Sequence, residues 1–410
     1  MKILYFHQHF TTPEGSGGTR SYEFSKNLVS KGHEVTMVCG TYVGGKTGLT
    51  DDFKNNVREG CVSGINIIEL NIPYSNKDSL LKRSIKFFYF SLKSFSIVLK
   101  IDFDILFATS TPLTAAIPGI FSKLIRKGRF IFEVRDLWPE LPKAMKVIKN
   151  PIILILLDRL ETIAYKSSDG LIGLSPGIVE GIKRKTKDKK RLTMIPNGSD
   201  LKLFKNNIAY DNDFSAFGIS SSDFLAIYTG THGRANGLQV IVEAAKVLKQ
   251  RQLSNIKIVL IGDGSEKEIL QVTKELYQLE NLIFLPPLPK VKLAPWMQRA
   301  NLGLQILSDI PEFYFGTSPN KFFDYISSSL PVLINYPGWL AELILEYKMG
   351  YFADPKQEFD LANKLEEASK NENISKQAVA SFELAKKHFD REILSNDFRV
   401  FLEEILIDEN

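Results

Sequence analysis

Short apolar, β-branched or aromatic runs alternate along the whole chain with segments of helical length, the pattern of repeated strand–helix–strand units and parallel sheets. In the first half the pattern predicts strands at 2–6, 34–39, 65–70, 105–108, 130–134, 170–174 and 192–195. The second half restarts it, with strands at 225–228, 256–261, 282–285, 302–306, 331–334 and 351–353. Between the two sets lie Asn197, Gly198, Ser199 and Asp200 and the polar stretch 205–222, a hinge by composition. The expected fold class is α/β: two Rossmann-like, doubly wound parallel-sheet domains facing across a cleft, since parallel strands need helices on both faces. The domains run 1–200 and 201–380. From about 376 to 407, Ala378, Phe382, Ala385, Phe389 and Ile393 recur at helical spacing and no strand follows, so residues 381–410 are expected to form a helical segment that packs back across the domains.

The 410 residues, 44% hydrophobic and 24% charged, supply apolar mass for two cores and make disorder or a coiled coil poor descriptions. Cys39, Cys61 and five scattered histidines offer neither a disulfide framework nor a metal-ligand spacing, which fits a reducing, cytosolic compartment. Residues 1–200 carry 30 Lys and Arg against 19 Asp and Glu, whereas 201–410 carry 22 against 28. A basic first half attracts a polyanion or an anionic membrane surface. No helix-turn-helix or RNP signature accompanies it, so nucleic acid is not an expected partner. The apolar run Ile3 to Phe6 breaks at His7, Gln8 and His9, too early for a secretory signal.

The segment 79–101 holds 13 apolar or aromatic residues, five Lys or Arg and no acid. Leu81, Ile85, Phe88, Leu92, Phe95 and Leu99 recur at helical spacing beside Lys82, Lys86, Lys93 and Lys100. Spanning a bilayer takes roughly 20 mainly apolar residues, and each central charge costs about 2.5–3.5 kcal/mol, so this reads as a helix lying in the membrane interface. A second basic run, 183–191, has seven cationic residues in nine and is ordinarily a solvated face.

Three Gly-rich turns follow strands. Gly17 and Gly18 lead into the first helix, where backbone N–H groups and the helix dipole favour phosphate. The spacing is not the GxGxxG of a dinucleotide fold. In the second half Gly230, Gly233 and Gly237 surround Arg234, a forked and permanently charged donor suited to a diphosphate. Gly262, Asp263 and Gly264 form a third such turn. Further on, Gly316, Thr317 and Ser318 open a helix that carries Lys321 and, three residues later, Asp324 on the same side. Phosphates at the helix start and ribose hydroxyls on Asp324 would suit a nucleotide sugar; a Ser318 N-cap with dipole-matched charges is the plain alternative. At the end of the strand at 130–134 and just beyond it stand Glu133, Arg135, Asp136, Trp138 and Glu140, four of them ionisable around one aromatic face, a candidate acceptor pocket. A structural ion pair of Arg135 with Asp136 or Glu140 is the alternative there.

These motifs, from Gly17-Gly18 through 132–140, Ile195 to Asp200 and 230–237 to Ser318 through Tyr325, resemble the retaining glycosyltransferases of GT-B architecture in family 4. Within that family the chain is similar to the bacterial transferases of O-antigen and capsule synthesis, L-fucosamine transferases among them. The resemblance implies a nucleotide-sugar donor, UDP-linked and N-acetylated 6-deoxy in the nearest subgroup, and a lipid-diphosphate-linked saccharide acceptor. It implies retention at the anomeric carbon without a metal or other cofactor, at the inner face of the cell membrane. Arg234 and Lys321 would then stabilise the leaving diphosphate, and Asp136 would meet the acceptor hydroxyl. Two positions depart from the common pattern: Gly316 stands where many members carry the first of two Glu, and Ala235 follows the phosphate-binding Arg in place of Lys. Lys321 is expected to replace that lost charge. Asp102 with Asp104, and Asp211 with Asp213, are the Asp-x-Asp pairs, and neither falls in an expected ligand loop. A nucleotide-sugar 2-epimerase of the same architecture and a non-catalytic nucleotide-sugar binder are the competing readings.

Overall fold

The computed structural model describes residues 1–75, 78–126, 128–205 and 214–407. The polar hinge therefore lies partly, and Asp211 with Asp213 wholly, outside the described residues. The chain divides into two compact units: residues 1–197 with 315–318 and 391–410, and residues 198–314 with 319–390.

The first unit is built on β1 (Lys2–Phe6), β2 (Glu34–Tyr42), β3 (Val57–Val62), β4 (Ile65–Tyr74), β5 (Ile105–Thr109), β6 (Arg129–Val134), β7 (Gly170–Gly173) and β8 (Arg191–Met194). Their order is β3-β4-β2-β1-β5-β6-β7-β8, parallel throughout except that β3 runs antiparallel to β4. The apolar runs become central strands because both faces are covered: every residue of β5 and β7 is buried. The covering helices are α1 (Arg20–Ser30), α2 (Leu80–Lys100), α3 (Ile117–Ile125), α4 (Glu140–Ala144), α5 (Pro151–Ser167) and α6 (Pro176–Thr186). The pattern of apolar positions missed β3. It is an exposed edge strand with no apolar face, joined to β4 by a tight turn in which Ser63 and Gly64 both take positive φ (53° and 79°), the geometry of a two-residue hairpin.

The second unit contains β9 (Phe224–Thr229), β10 (Ile256–Ile261), β11 (Leu282–Leu285), β12 (Leu302–Gln305), β13 (Val332–Ile334) and β14 (Gly350–Phe352). They form one parallel sheet in the order β11-β10-β9-β12-β13-β14. Its helices are α7 (Leu201–Lys205), α8 (Gln239–Gln250), α9 (Lys267–Leu276), α10 (Lys290–Arg299), α11 (Pro311–Gly316, shared at its end with the first unit), α12 (Asn320–Ser327), α13 (Trp339–Glu346), α14 (Asp360–Ser369) and α15 (Ile374–His388). The last helix, α16 (Arg391–Ile407), belongs to the first unit. There Phe398 stacks on Phe24 of α1 (4.8 Å between ring centres) and meets Phe107 of β5 edge-on (4.9 Å). The break between α15 and α16 resets the helical phase, which leaves Ile393 exposed and buries Leu394 instead. Both units are parallel-sheet α/β domains, as the alternation of runs predicts.

Candidate functional site

In the second unit the loops after β9 and β10 lock together. The Gly230 N–H donates to the Ile261 carbonyl, His232 N–H to that of Asp263 and Glu266 N–H to that of His232, each at 2.9 Å. A Cβ on Gly262 would lie 1.8 Å from the Gly230 carbonyl oxygen, and one on Gly264 2.4 Å from that of His232. Glycine is thus demanded here by one backbone lying on another. Asp263 closes its own turn, its carboxylate accepting from the Gly264 N–H at 2.9 Å. Gly233 precedes a single 3₁₀ turn, Arg234–Asn236, which Gly237 ends in the left-handed conformation (φ 57°). The Arg234 side chain is exposed, while its carbonyl accepts from the Ser308 hydroxyl.

Lys321, in the first turn of α12, reaches into this loop. Its Nζ donates to Asn236 Oδ1 at 3.0 Å and to the Tyr228 hydroxyl at 3.1 Å, and lies 4.5 Å from the centre of the Tyr228 ring. Both partners are neutral, and burial pulls its pKa from 10.5 down to about 7. A desolvated ammonium held only by dipoles is stabilised by any anion that arrives. Lys321 thus reaches, from α12, the short turn Arg234–Asn236 in which Arg234 stands. His232 beneath them is fully buried with neither ring nitrogen partnered, and burial lowers it to about 4, so it is neutral.

Asp324 does not join them. Lys290 Nζ sits between Asp200 (2.7 Å) and Asp324 (2.8 Å) in a nearly buried triad, so the carboxylate expected beside Lys321 has a different partner. Three residues along a helix share a face, but Lys290 from α10 captures the shorter acid. Ser318 is not the cap of α12 either; Pro319 occupies that position. The Ser318 hydroxyl accepts from the Asn197 N–H at 3.0 Å.

In the first unit, strand order reverses between β1 and β5, and ligands of open α/β sheets gather at the carboxyl ends beside such a reversal. Following β1 are His7, Gln8 and His9; following β5, Ser110 and Thr111; following β6, Arg135 and Asp136. Asp136 accepts from the Thr111 hydroxyl at 2.9 Å, and burial pushes its carboxyl above the usual range. The Arg135 N–H donates to Ser110 Oγ at 2.8 Å. Trp138 is half-buried with its indole N–H unpartnered. Gln8 is 1% exposed with both amide atoms unpartnered, as are His7 Nδ1 and His9 Nε2. Burial, reinforced by Arg135, holds both imidazoles neutral, His9 at about 4. Buried polar atoms without partners cost about 1–3 kcal/mol each, which a polar ligand would offset. The motif reading missed these three; their signal is a polar His-Gln-His run at the end of an apolar strand.

One acid of the expected acceptor pocket is corrected, and for the other the alternative ion pair with Arg135 is not the one formed. Glu133 is fully buried: Oε2 accepts from Arg20 Nε and NH2 (2.9 and 2.7 Å) and Oε1 from the Thr109 hydroxyl (2.7 Å). Arg20 in turn donates to the Ile195 and Pro196 carbonyls. Oε2 is committed to the internal ion pair with Arg20 and Oε1 to Thr109, and the carboxylate is fully buried, out of reach of an acceptor. Glu140 is exposed and lies 3.4 Å from Arg184, not against Arg135. Gly17 and Gly18 are half-buried just ahead of α1, and a Cβ on Gly17 would meet the Tyr42 hydroxyl at 2.3 Å.

Asp102 and Asp104 both engage Lys2, through its ammonium (2.9 Å) and its N–H (2.7 Å), at the amino end of β1 and away from these loops. Among the described residues, no three His, Cys, Asp or Glu are grouped to hold a metal ion. In the basic run, Lys183, Arg184 and Lys185 pair with Glu180, Glu140, and Asp158 with Glu161, respectively.

Residues 210–382 match the family model described as glycosyl transferases group 1, and residues 17–203 the model described as glycosyltransferase family 4. The chain is 24% identical over 307 residues to the probable glycosyltransferase WbjE of Pseudomonas aeruginosa, covering 72% of this chain and 74% of that one. Among solved structures it is similar to sucrose-phosphate synthase from Thermosynechococcus elongatus, at TM-score 0.78 and 16% identity over 100% of both chains. Anabaena HepE in complex with UDP superposes with TM-score 0.67 and 15% identity, covering 98% of this chain and 100% of that one. WaaG, a glycosyltransferase involved in lipopolysaccharide biosynthesis, does so with TM-score 0.67 and 14% identity, over 97% and 98%.

Proposed function

Because this chain is a glycosyltransferase of the GT-B type, we propose that it moves a sugar from a UDP-linked donor to a lipid-diphosphate-linked saccharide, with retention, in bacterial surface polysaccharide synthesis. The observation that carries this reading is Lys321: a half-buried cation held by the neutral groups of Tyr228 and Asn236, in the turn that also carries Arg234, with no carboxylate partner among the described residues. A donor diphosphate completes it. As the C1–O bond to the diphosphate breaks, negative charge grows on the leaving oxygen, and Lys321 and Arg234 offset it. The acceptor hydroxyl forms the new bond to C1 on the same face and passes its proton to that departing phosphate oxygen. No metal is needed in this scheme.

The acceptor is assigned to the first unit, where Asp136 and Arg135 with the unpartnered Gln8, His7 and Trp138 offer hydrogen-bonding groups to a saccharide. The subgroup resemblance favours an N-acetylated 6-deoxyhexose as the sugar. Placement on the cytoplasmic face of the membrane follows from the lipid acceptor and from α2. No helix among the described residues is long and apolar enough to cross a bilayer. The test is incubation with a panel of nucleotide sugars and lipid-diphosphate acceptors, with the product identified by mass spectrometry and NMR. A donor epimerised in the absence of any acceptor, or donor bound and never consumed, would refute the assignment.

A further inference from the structure

The helices on one side of the first sheet leave apolar side chains in solvent. On α2, Leu81 (72% exposed), Ile85 and Phe88 project outward, while Phe90, Ile97 and Val98 face the core. Next to it, α3 exposes Leu124 (79%), and Phe95 of α2 packs on Phe121 of α3 at 4.4 Å between ring centres. On its other side α3 meets α5. The first half of α5 is the unusual part. From Pro151 to Leu157 its sequence is entirely apolar and not one position is buried; Ile152 is 67% exposed and Leu156 also lies in solvent. A helix that is apolar all round is ordinarily inside something.

Charge says what covers it. Residues 80–101, 117–126 and 141–157 contain no acid, and among the described residues their Lys82, Lys93, Lys100, Lys143, Lys146 and Lys149 form no ion pair. The acids at the ends of these segments, Asp78, Asp102, Glu140 and Asp158, are each paired, with Lys86, Lys2, Arg184 and Lys185 respectively, so the apolar face carries a surplus of cations, which matches acyl chains beneath anionic headgroups. We infer that α2, α3 and the first half of α5 form one docking face for an anionic lipid bilayer, with the first two turns of α5 entering deepest. This deepens the membrane part of the proposed function. It does not depend on the identity of donor or acceptor.

The experiment is vesicle flotation of the whole chain with neither substrate present. Vesicles of phosphatidylglycerol with phosphatidylcholine are compared with phosphatidylcholine alone. The wild type is expected to float with the anionic vesicles and to release at high salt. Ile152→Asp with Leu156→Asp lowers the bound fraction by about tenfold or more, with circular dichroism and UDP binding unchanged. Should that pair misfold, Lys93→Gln with Lys146→Gln decides the matter, weakening only anionic-vesicle binding. Absence of wild-type binding to either vesicle overturns the inference, as does unchanged binding of the variants. A concentration-dependent dimer that the Asp pair abolishes, without vesicle binding, would assign the face to a second copy. Failure of lipid-linked transfer with docking intact would instead count against the acceptor assignment alone.

Discussion

Replacing Lys321 by Met removes the ammonium and keeps nearly the same length. The fall in its pKa from 10.5 to about 7 corresponds to an upper bound of about 4–5 kcal/mol for keeping the charge out of water, since the side chain retains some solvent access. Its two hydrogen bonds to neutral groups return about 1–3 kcal/mol together. Below pH 7, methionine should therefore raise the stability of the second unit by a few kcal/mol, and K321M should melt later than wild type. The pH dependence has a definite sign. With the folded pKa depressed, the unfolded chain binds more protons between about pH 7 and 10.5, so wild-type stability rises through that window, a rise K321M lacks. Catalysis moves the other way: loss of one preorganised cation aimed at the leaving group costs about 10²–10³ in kcat. Wild-type donor affinity should also fall above pH 7 as the ammonium loses its proton. Thermal melts from pH 6 to 10 beside initial rates with UDP-sugar test both halves. A variant that melts earlier and turns over like wild type would refute the reasoning, for Lys321 would then be a prop for Tyr228 and Asn236.

Arg20→Met leaves Glu133 in the interior without its cation, and should destabilise the first unit by about 3–5 kcal/mol in chemical denaturation. Gly262→Ala forces a methyl against the Gly230 carbonyl at φ 156°, so the β9 and β10 loops must part; UDP affinity measured by calorimetry should fall about tenfold or more. Asp136→Asn removes a charged hydrogen-bonding group facing the acceptor and should lower kcat/KM for acceptor by about 10- to 100-fold while leaving the KM for donor unchanged, in steady-state assays with acceptor varied. Turnover should persist in EDTA, consistent with a diphosphate neutralised by Lys321 and Arg234.

The alternation of apolar runs with helical stretches determined both sheets. Strands such as β1, β10 and β11 begin and end where the runs do, because a central parallel strand is apolar over its whole length and needs no distant information to be recognised. The edge strand β3 escaped for the converse reason: it buries too little to write a pattern. The amphipathic character of α2 was equally legible, since its exposed Leu81, Ile85 and Phe88 follow from a period of 3.6. Tertiary structure alone decided which charges meet. Arg20 and Glu133 are 113 residues apart, and Lys321 finds Tyr228 and Asn236 across 93 and 85. Asp324 is taken by Lys290 although Lys321 lies one helical turn away. Local periodicity is a property of neighbouring residues, which the backbone carries wherever it goes. The partner of an ionised side chain depends on which strands lie side by side and how much water is left between them, and that exists only once the chain has closed on itself.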